Sequence, residues 1–152
     1  MKILKGEILS NETYGPDIYK MEVFSPYIVK NTGPGQFVNI KCSPESVRDP
    51  LLRRPFSIFD IEEKFNVFSI LYHAKGRGTH YMSTLGKGDL LDFSGPLGKA
   101  VDLADSRNNL LLIGGGLGIA PLNLLSKLAI DAGKNVLILA GFKDSRLLRW
   151  ER

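Results

Sequence analysis

Three short segments carry residue types whose order suits an anion held beside a flat ring. Arg53–Asp60 reads RRPFSIFD. The Arg54 guanidinium can hold a phosphate through two parallel N–H bonds. Pro55 stiffens the backbone behind it, Phe56 offers a flat apolar face, and the Ser57 hydroxyl can bond a ring nitrogen. Gly76–Thr79 reads GRGT just ahead of a segment of helical character. Amides at a helix start attract a phosphate, and the Thr79 hydroxyl can either cap the helix or donate to the anion. Ile113–Pro121 reads IGGGLGIAP. Gly114, Gly115, Gly116 and Gly118 would let a pyrophosphate approach the backbone, and Pro121 suits the first turn of a helix. Each segment also has a plain structural reading: an edge strand with solvated arginines, a capped helix after a hairpin turn, and a tight strand-to-helix turn.

The surrounding elements decide whether these segments can meet. Residues 1–101 read as β structure. KILKGEILS, DIYKMEVFS, the strand Phe37–Ile40, LLRRPFSIFD, FNVFSILYHA and GKGDLLDFSGPLG give six short strands separated by Gly/Pro turn chemistry. In the second strand Tyr19, Met21 and Val23 share one face, with Lys20 and Glu22 on the other. Six such strands predict an antiparallel Greek-key barrel, with one small helix at GRGTHYMSTL. Residues 102–108 are polar and read as a linker. Residues 109–152 then read as apolar strand, glycine turn, helix, turn and apolar strand. On that helix Leu122, Leu125, Leu128 and Ala129 form one stripe, and Gly133 stands at the C-cap. Strands this apolar imply a parallel sheet covered on both faces, and the α/β unit reads as incomplete.

Composition narrows the function class. Hydrophobic residues make up 43% and charged residues 24% of the 152, as in a soluble globular protein. The net charge of +4 is spread along the chain, which suits an anionic ligand and argues against nucleic acid. Cys42 is the single cysteine, so neither a disulfide nor a multi-thiolate metal site is available within the chain, and a cytoplasmic location is expected. Cys42 reads as a packed thiol. His73 and His80 have no partner at ligand spacing, so no metal site is expected. The longest apolar run is broken by four glycines and a proline, and no membrane span is expected.

The order of the motifs resembles the ferredoxin reductase-like superfamily, in which a barrel holds FAD and a following α/β domain binds a nicotinamide dinucleotide. Arg54, Pro55, Phe56 and Ser57 match its Arg-x-(Tyr/Phe)-Ser signature. Gly76, Gly78 and Thr79 match its Gly-x-Gly-Thr signature, and Gly116, Gly118 and Pro121 match Gly-x-Gly-x-x-Pro. Within the superfamily, PGQFVNI, DPLLRRPFSI, GRGT, LGKGDLLDFSGPLG and IGGGLGIAPL look like the electron-transfer subunit of class B dihydroorotate dehydrogenase. Sulfhydrogenase subunits and NAD(P)H-dependent flavin or ferredoxin reductases share much of the pattern. A non-catalytic barrel that binds an anion or a partner protein is the alternative of another class.

The resemblance implies a flavin-dependent oxidoreductase component of pyrimidine biosynthesis. It would pass electrons between NAD(H) and a partner subunit that carries FMN, through FAD and a 2Fe–2S cluster. It further implies that Arg54 pairs with the FAD pyrophosphate, Phe56 packs on the flavin, and Ser57 stands near the reacting ring as the catalytic residue. Leu71 and Tyr72 would lie along the FAD, with Gly76, Gly78 and Thr79 on its phosphate and Gly114–Gly118 and Pro121 under the nicotinamide nucleotide. Lys143 and Arg146 could meet a 2′-phosphate. The chain departs from the pattern in two respects: the family's cluster-binding cysteines are missing, so that Cys42 alone cannot hold a 2Fe–2S cluster, and residues 109–152 read as only the first part of a truncated nicotinamide domain.

Overall fold

The computed structural model describes residues 2–47, 49–104 and 107–143. Six strands close into a barrel: β1 (Lys2–Gly15), β2 (Ile18–Phe24), β3 (Phe37–Ile40), β4 (Arg54–Glu62), β5 (Val67–His73) and β6 (Leu90–Leu97). Their order around the barrel is β1-β2-β5-β4-β3-β6, with every neighbouring pair antiparallel. This is the expected Greek-key barrel, and its closure leaves no free strand edge. The core follows from alternation. Met21, Val23, Val38, Ile40, Phe68 and Ile70 are buried inside, and Phe68 meets Phe93 edge-on with centroids 5.3 Å apart. β5 is buried along almost its whole length because both of its faces are covered. Tyr72 points into the barrel cluster, whereas its neighbour Leu71 packs outside with Phe59 and Ala120.

One small helix was expected in this region, and there are two. The second, α2 (Arg77–Thr84), is the helix after GRGT. The first, α1 (Pro26–Asn31), starts where the Ser25 hydroxyl accepts from the Ile28 amide at 3.4 Å and Pro26 occupies the first turn. The Ser-Pro pair is a capping signal, but six residues are too few to show helical periodicity in the sequence.

No helix or strand lies between Leu97 and Asn109 among the described residues. Then β7 (Asn109–Gly115), a 3-10 turn (Gly116–Ile119), α3 (Ala120–Asp131) and β8 (Asn135–Gly141) form a β–α–β unit whose two strands pair in parallel. Gly133 closes α3 at φ +75°, donating to the Ile130 carbonyl at 2.9 Å. Two expectations need correction. The sheet is not covered on both faces: Leu111, Ile113, Leu137 and Leu139 are exposed, while the alternate residues are half-buried on the α3 side. Of the expected stripe on α3 only Ala129 is fully buried; Leu122, Leu125 and Leu128 are half-buried, and the other buried residues of the helix are Ala120, Leu124 and Ser126. The cause is that α3 packs on two things at once. Leu124 and Leu128 join the barrel cluster, and Leu122 lies against Gly114 of the sheet.

Candidate functional site

β4 brings the first motif and α2 the second to a common cleft. Its volume is about 470 Å³, and its walls are Asp49, Pro50, Arg54, Pro55, Phe56, Gly76, Arg77, Gly78 and Thr79. Six of the sequence-predicted residues, Arg54, Pro55 and Phe56 from one segment and Gly76, Gly78 and Thr79 from another, therefore face one cavity.

The two arginines of RRPFSI divide their roles. Arg53 is pinned: its Nη2 lies 2.7 Å from Asp92 Oδ1 and its Nη1 donates to the Asp92 carbonyl at 3.1 Å, tying the start of β4 to β6. Arg54 is exposed and donates to the Leu52 carbonyl at 2.8 Å. Phe56 lines the cleft and rests its ring edge-on against Tyr72, with centroids 6.1 Å apart. Tyr72 is itself stacked on Tyr19 at 5.5 Å.

The opposite wall is the amino end of α2, whose first amides have no acceptor one turn back. The Thr79 hydroxyl serves as the cap, accepting from the Lys75 and Gly76 amides at 3.0 and 3.1 Å. Gly78 is required by space. A Cβ there would stand 2.8 Å from the Cys42 Cβ and 3.2 Å from Pro50 Cγ. At Gly76 a Cβ would meet nothing within 4 Å. Cys42 is packed behind this wall, its S–H 3.4 Å from both the Ile40 carbonyl and Met82 Sδ. Burial pushes its thiol up to about 11.

Other candidates lie elsewhere. Tyr72 is buried behind the cleft, and its hydroxyl donates to Asn11 Oδ1 at 2.9 Å. Burial raises that phenol to about 12. Leu71 packs at the junction of barrel and α/β unit. Ser57 follows Phe56 on β4, outside the cleft lining, and precedes Phe59 by two residues. Phe59 touches Ala120, and Leu117 of the glycine turn packs on the same cluster. The Phe59 carbonyl accepts from Asn123 Nδ2 at 3.1 Å, and Asp60 pairs with Lys127 at 2.8 Å. A single strand thus runs from the cationic cleft at Arg54 to the glycine turn, about 17 Å along β4.

In that turn the glycines differ. A Cβ at Gly114 would meet Ile119 Cγ2 and Leu122 Cδ1, each at 2.9 Å, so Gly114 serves helix–strand contact. Gly116 has φ +53° and, like Gly118, open space where a Cβ would be. Pro121 sits in the first turn of α3. Lys143 is exposed just beyond β8, and Arg146 lies outside the described residues.

Sequence reasoning missed three residues. Asp49 and Arg77 line the cleft and pair with each other, Arg77 Nη1 on Asp49 Oδ2. Asn11 of β1 donates to the Met82 and Leu85 carbonyls at 2.9 and 2.7 Å, which fixes the far end of α2. Arg77 stood inside GRGT as a visible charge. Asp49 and Asn11 act through contacts that local pattern does not carry. Among the described residues no cluster of His, Cys, Asp or Glu could hold a metal ion, and no helix is long and apolar enough to cross a membrane.

No family-level sequence profile matches the chain. Individual proteins do. The electron transfer subunit of dihydroorotate dehydrogenase B (NAD(+)) from Fusobacterium nucleatum is 36% identical over 146 residues, 95% of this chain and 56% of its own length. The same subunit from Bacillus cereus (strain Q1) is 34% identical over the same shares. The chain spans about half the length of these curated relatives. Among solved structures, an NADH-dependent reduced ferredoxin-NADP oxidoreductase superposes with a TM-score of 0.83 at 30% identity, over 94% of this chain and 50% of that one. Over 146 of its 152 residues the chain is similar to the electron transfer subunits of dihydroorotate dehydrogenase B, and it has the ferredoxin reductase-like fold.

Proposed function

We propose that this chain carries the FAD-binding barrel and the first part of the nicotinamide-nucleotide site of an electron-transfer subunit. It would serve exchange of reducing equivalents between NAD(H) and an FMN-containing dihydroorotate dehydrogenase catalytic subunit. The observation that carries the reading is the cleft in which Arg54, Pro55 and Phe56 meet the amino end of α2. Arg54 and the α2 amides supply donors of positive character for a pyrophosphate, and the open space at Gly76 leaves room for close approach. Phe56, braced by Tyr72, offers an apolar face. Ser57 would hold its hydroxyl toward the ring, on the stretch of β4 between the cleft and the glycine turn. Gly116 and Gly118 leave the start of α3 open for a second nucleotide. When bound, FAD supplies the step between two-electron and one-electron transfer, and the residues named here hold and orient it. A 2Fe–2S cluster does not fit this chain: its single cysteine is buried and sulfur-paired behind the cleft.

The likeness to an NADH-dependent ferredoxin-NADP oxidoreductase supports a second reading, a reductase that serves ferredoxin. Co-purification with an FMN-containing partner separates the two. The primary test is an absorption titration of the purified chain with FAD, then with NADH under anaerobic conditions. We expect perturbed flavin bands on mixing and bleaching with NADH. Folded protein that takes up no FAD sinks the flavin reading. Flavin uptake without bleaching sinks the nicotinamide half.

A further inference from the structure

The two arginines that line the cleft among the described residues both reach onto one short loop. Arg54 Nη1 donates to the Leu52 carbonyl at 2.8 Å, and Arg77 Nη1 contacts Asp49 Oδ2. Asp49 and Arg77 come from different segments, and both face the cavity. The charge pattern of α2 makes this pairing informative. The first turn of α2 holds no acidic residue and instead begins with a cation, Arg77. A helix start favours negative charge, so a cation there adds to the dipole's positive end rather than offsetting it. That end is built to receive an anion from outside the helix, and in this structure Asp49 provides one.

We infer that Asp49 is an internal counter-anion that competes with a bound phosphate for Arg77 and thereby sets how tightly the cleft holds its ligand. This rests on the reading of the cleft as a flavin dinucleotide site. The Asp49 carboxylate holds Arg77 where a phosphate oxygen would otherwise meet it. The pair is open to solvent, with side chains 60% and 79% exposed, so it is weak enough for a charged ligand to displace. A phosphate accepts from a guanidinium in the same forked geometry as a carboxylate. A ligand without phosphate has no claim on Arg77 and is indifferent to Asp49.

The test is a fluorescence titration of the full chain with FAD and, separately, with riboflavin. Asp49→Asn should bind FAD about twofold to fivefold tighter than the wild type, the span expected for release of an exposed ion pair. Riboflavin affinity should not change. Arg77→Ala should weaken FAD binding on the order of tenfold. The double variant should bind no tighter than Arg77→Ala alone. Unchanged or weaker FAD binding by Asp49→Asn overturns the inference, since Asp49 would then be holding Arg77 in place for the ligand. A gain that persists without Arg77 overturns it too, by assigning the effect to overall charge. Folded wild type that binds no FAD overturns the underlying reading and this inference together. Wild type that binds FAD with no gain in Asp49→Asn overturns this inference alone.

Discussion

Adjacent arginines in one motif face different fates. Arg53 spends its guanidinium on Asp92, 39 positions away, in a contact mostly shielded from water. Arg54 spends its own on a single exposed carbonyl. Their substitutions should separate cleanly. Arg53→Ala removes a charge-assisted pair and a bond to backbone, and should lower unfolding stability by about 1–2 kcal/mol while leaving FAD affinity nearly intact. Arg54→Ala should leave stability within about 0.5 kcal/mol and weaken FAD binding on the order of tenfold. Denaturant melts and FAD titrations of both variants check this, and a reversed pattern would assign the ligand contact to Arg53. The motif itself was legible as a cationic, aromatic and hydroxyl series. Which arginine was free was not, because that depends on where β6 brings Asp92. Thr79 shows the same limit. The sequence allowed a cap or a ligand donor, and its contacts in the fold are those of a cap.

Elements place the site, and α2 is the element most in need of placing. Its amino end faces the cleft while its other end is held by Asn11, whose amide donates to two carbonyls and whose oxygen accepts from Tyr72. Asn11→Ala should free all three partners and leave the buried Tyr72 hydroxyl unpaired, at a cost of about 1–3 kcal/mol. Amide hydrogen exchange across Arg77–Thr84 should speed up more than exchange in β2 or β5. Tyr72→Phe should be milder, since the two bonds to α2 remain. Equal exchange across all these elements in Asn11→Ala would mean that α2 is held by packing alone. Strands were readable here because period-two alternation survives in short segments, as at Met21 and Val23. α1 was not, being too short for a 3.6 period. The burial face of α3 was read right only at Ala129, for the opposite reason: a helix sandwiched between β4 and a sheet has two contact faces, and a single apolar stripe does not describe both.

At the scale of the molecule, one apolar cluster holds the barrel, and it reaches α3 through Leu124. The barrel's topology could be anticipated from the count and spacing of strands. The open face of the two-stranded sheet could not, because apolar residues on both sides of a strand look the same whether or not anything covers them. The cluster also has a titration limit. Cys42 and Tyr72 both belong to it, and burial raises their pKa values from 9.0 to about 11 and from 10.0 to about 12. In the unfolded chain both groups lose their protons near the ordinary values, while in the folded chain they keep them. Between about pH 9 and 12 the folded state therefore binds more protons than the unfolded state, and stability must fall as pH rises. Below pH 9 both forms are protonated in either state, and the contribution is fully present. Unfolding free energy from denaturant melts should accordingly vary little with these groups from pH 7 to 8 and decline steadily above pH 9. Cys42→Ala leaves a smaller core but removes one titrating group, so its decline should begin about one unit later, near the unfolded tyrosine value. A wild-type profile that stays flat to pH 11 would show that these groups ionise in the folded barrel as freely as in water, and that the cluster is open to solvent.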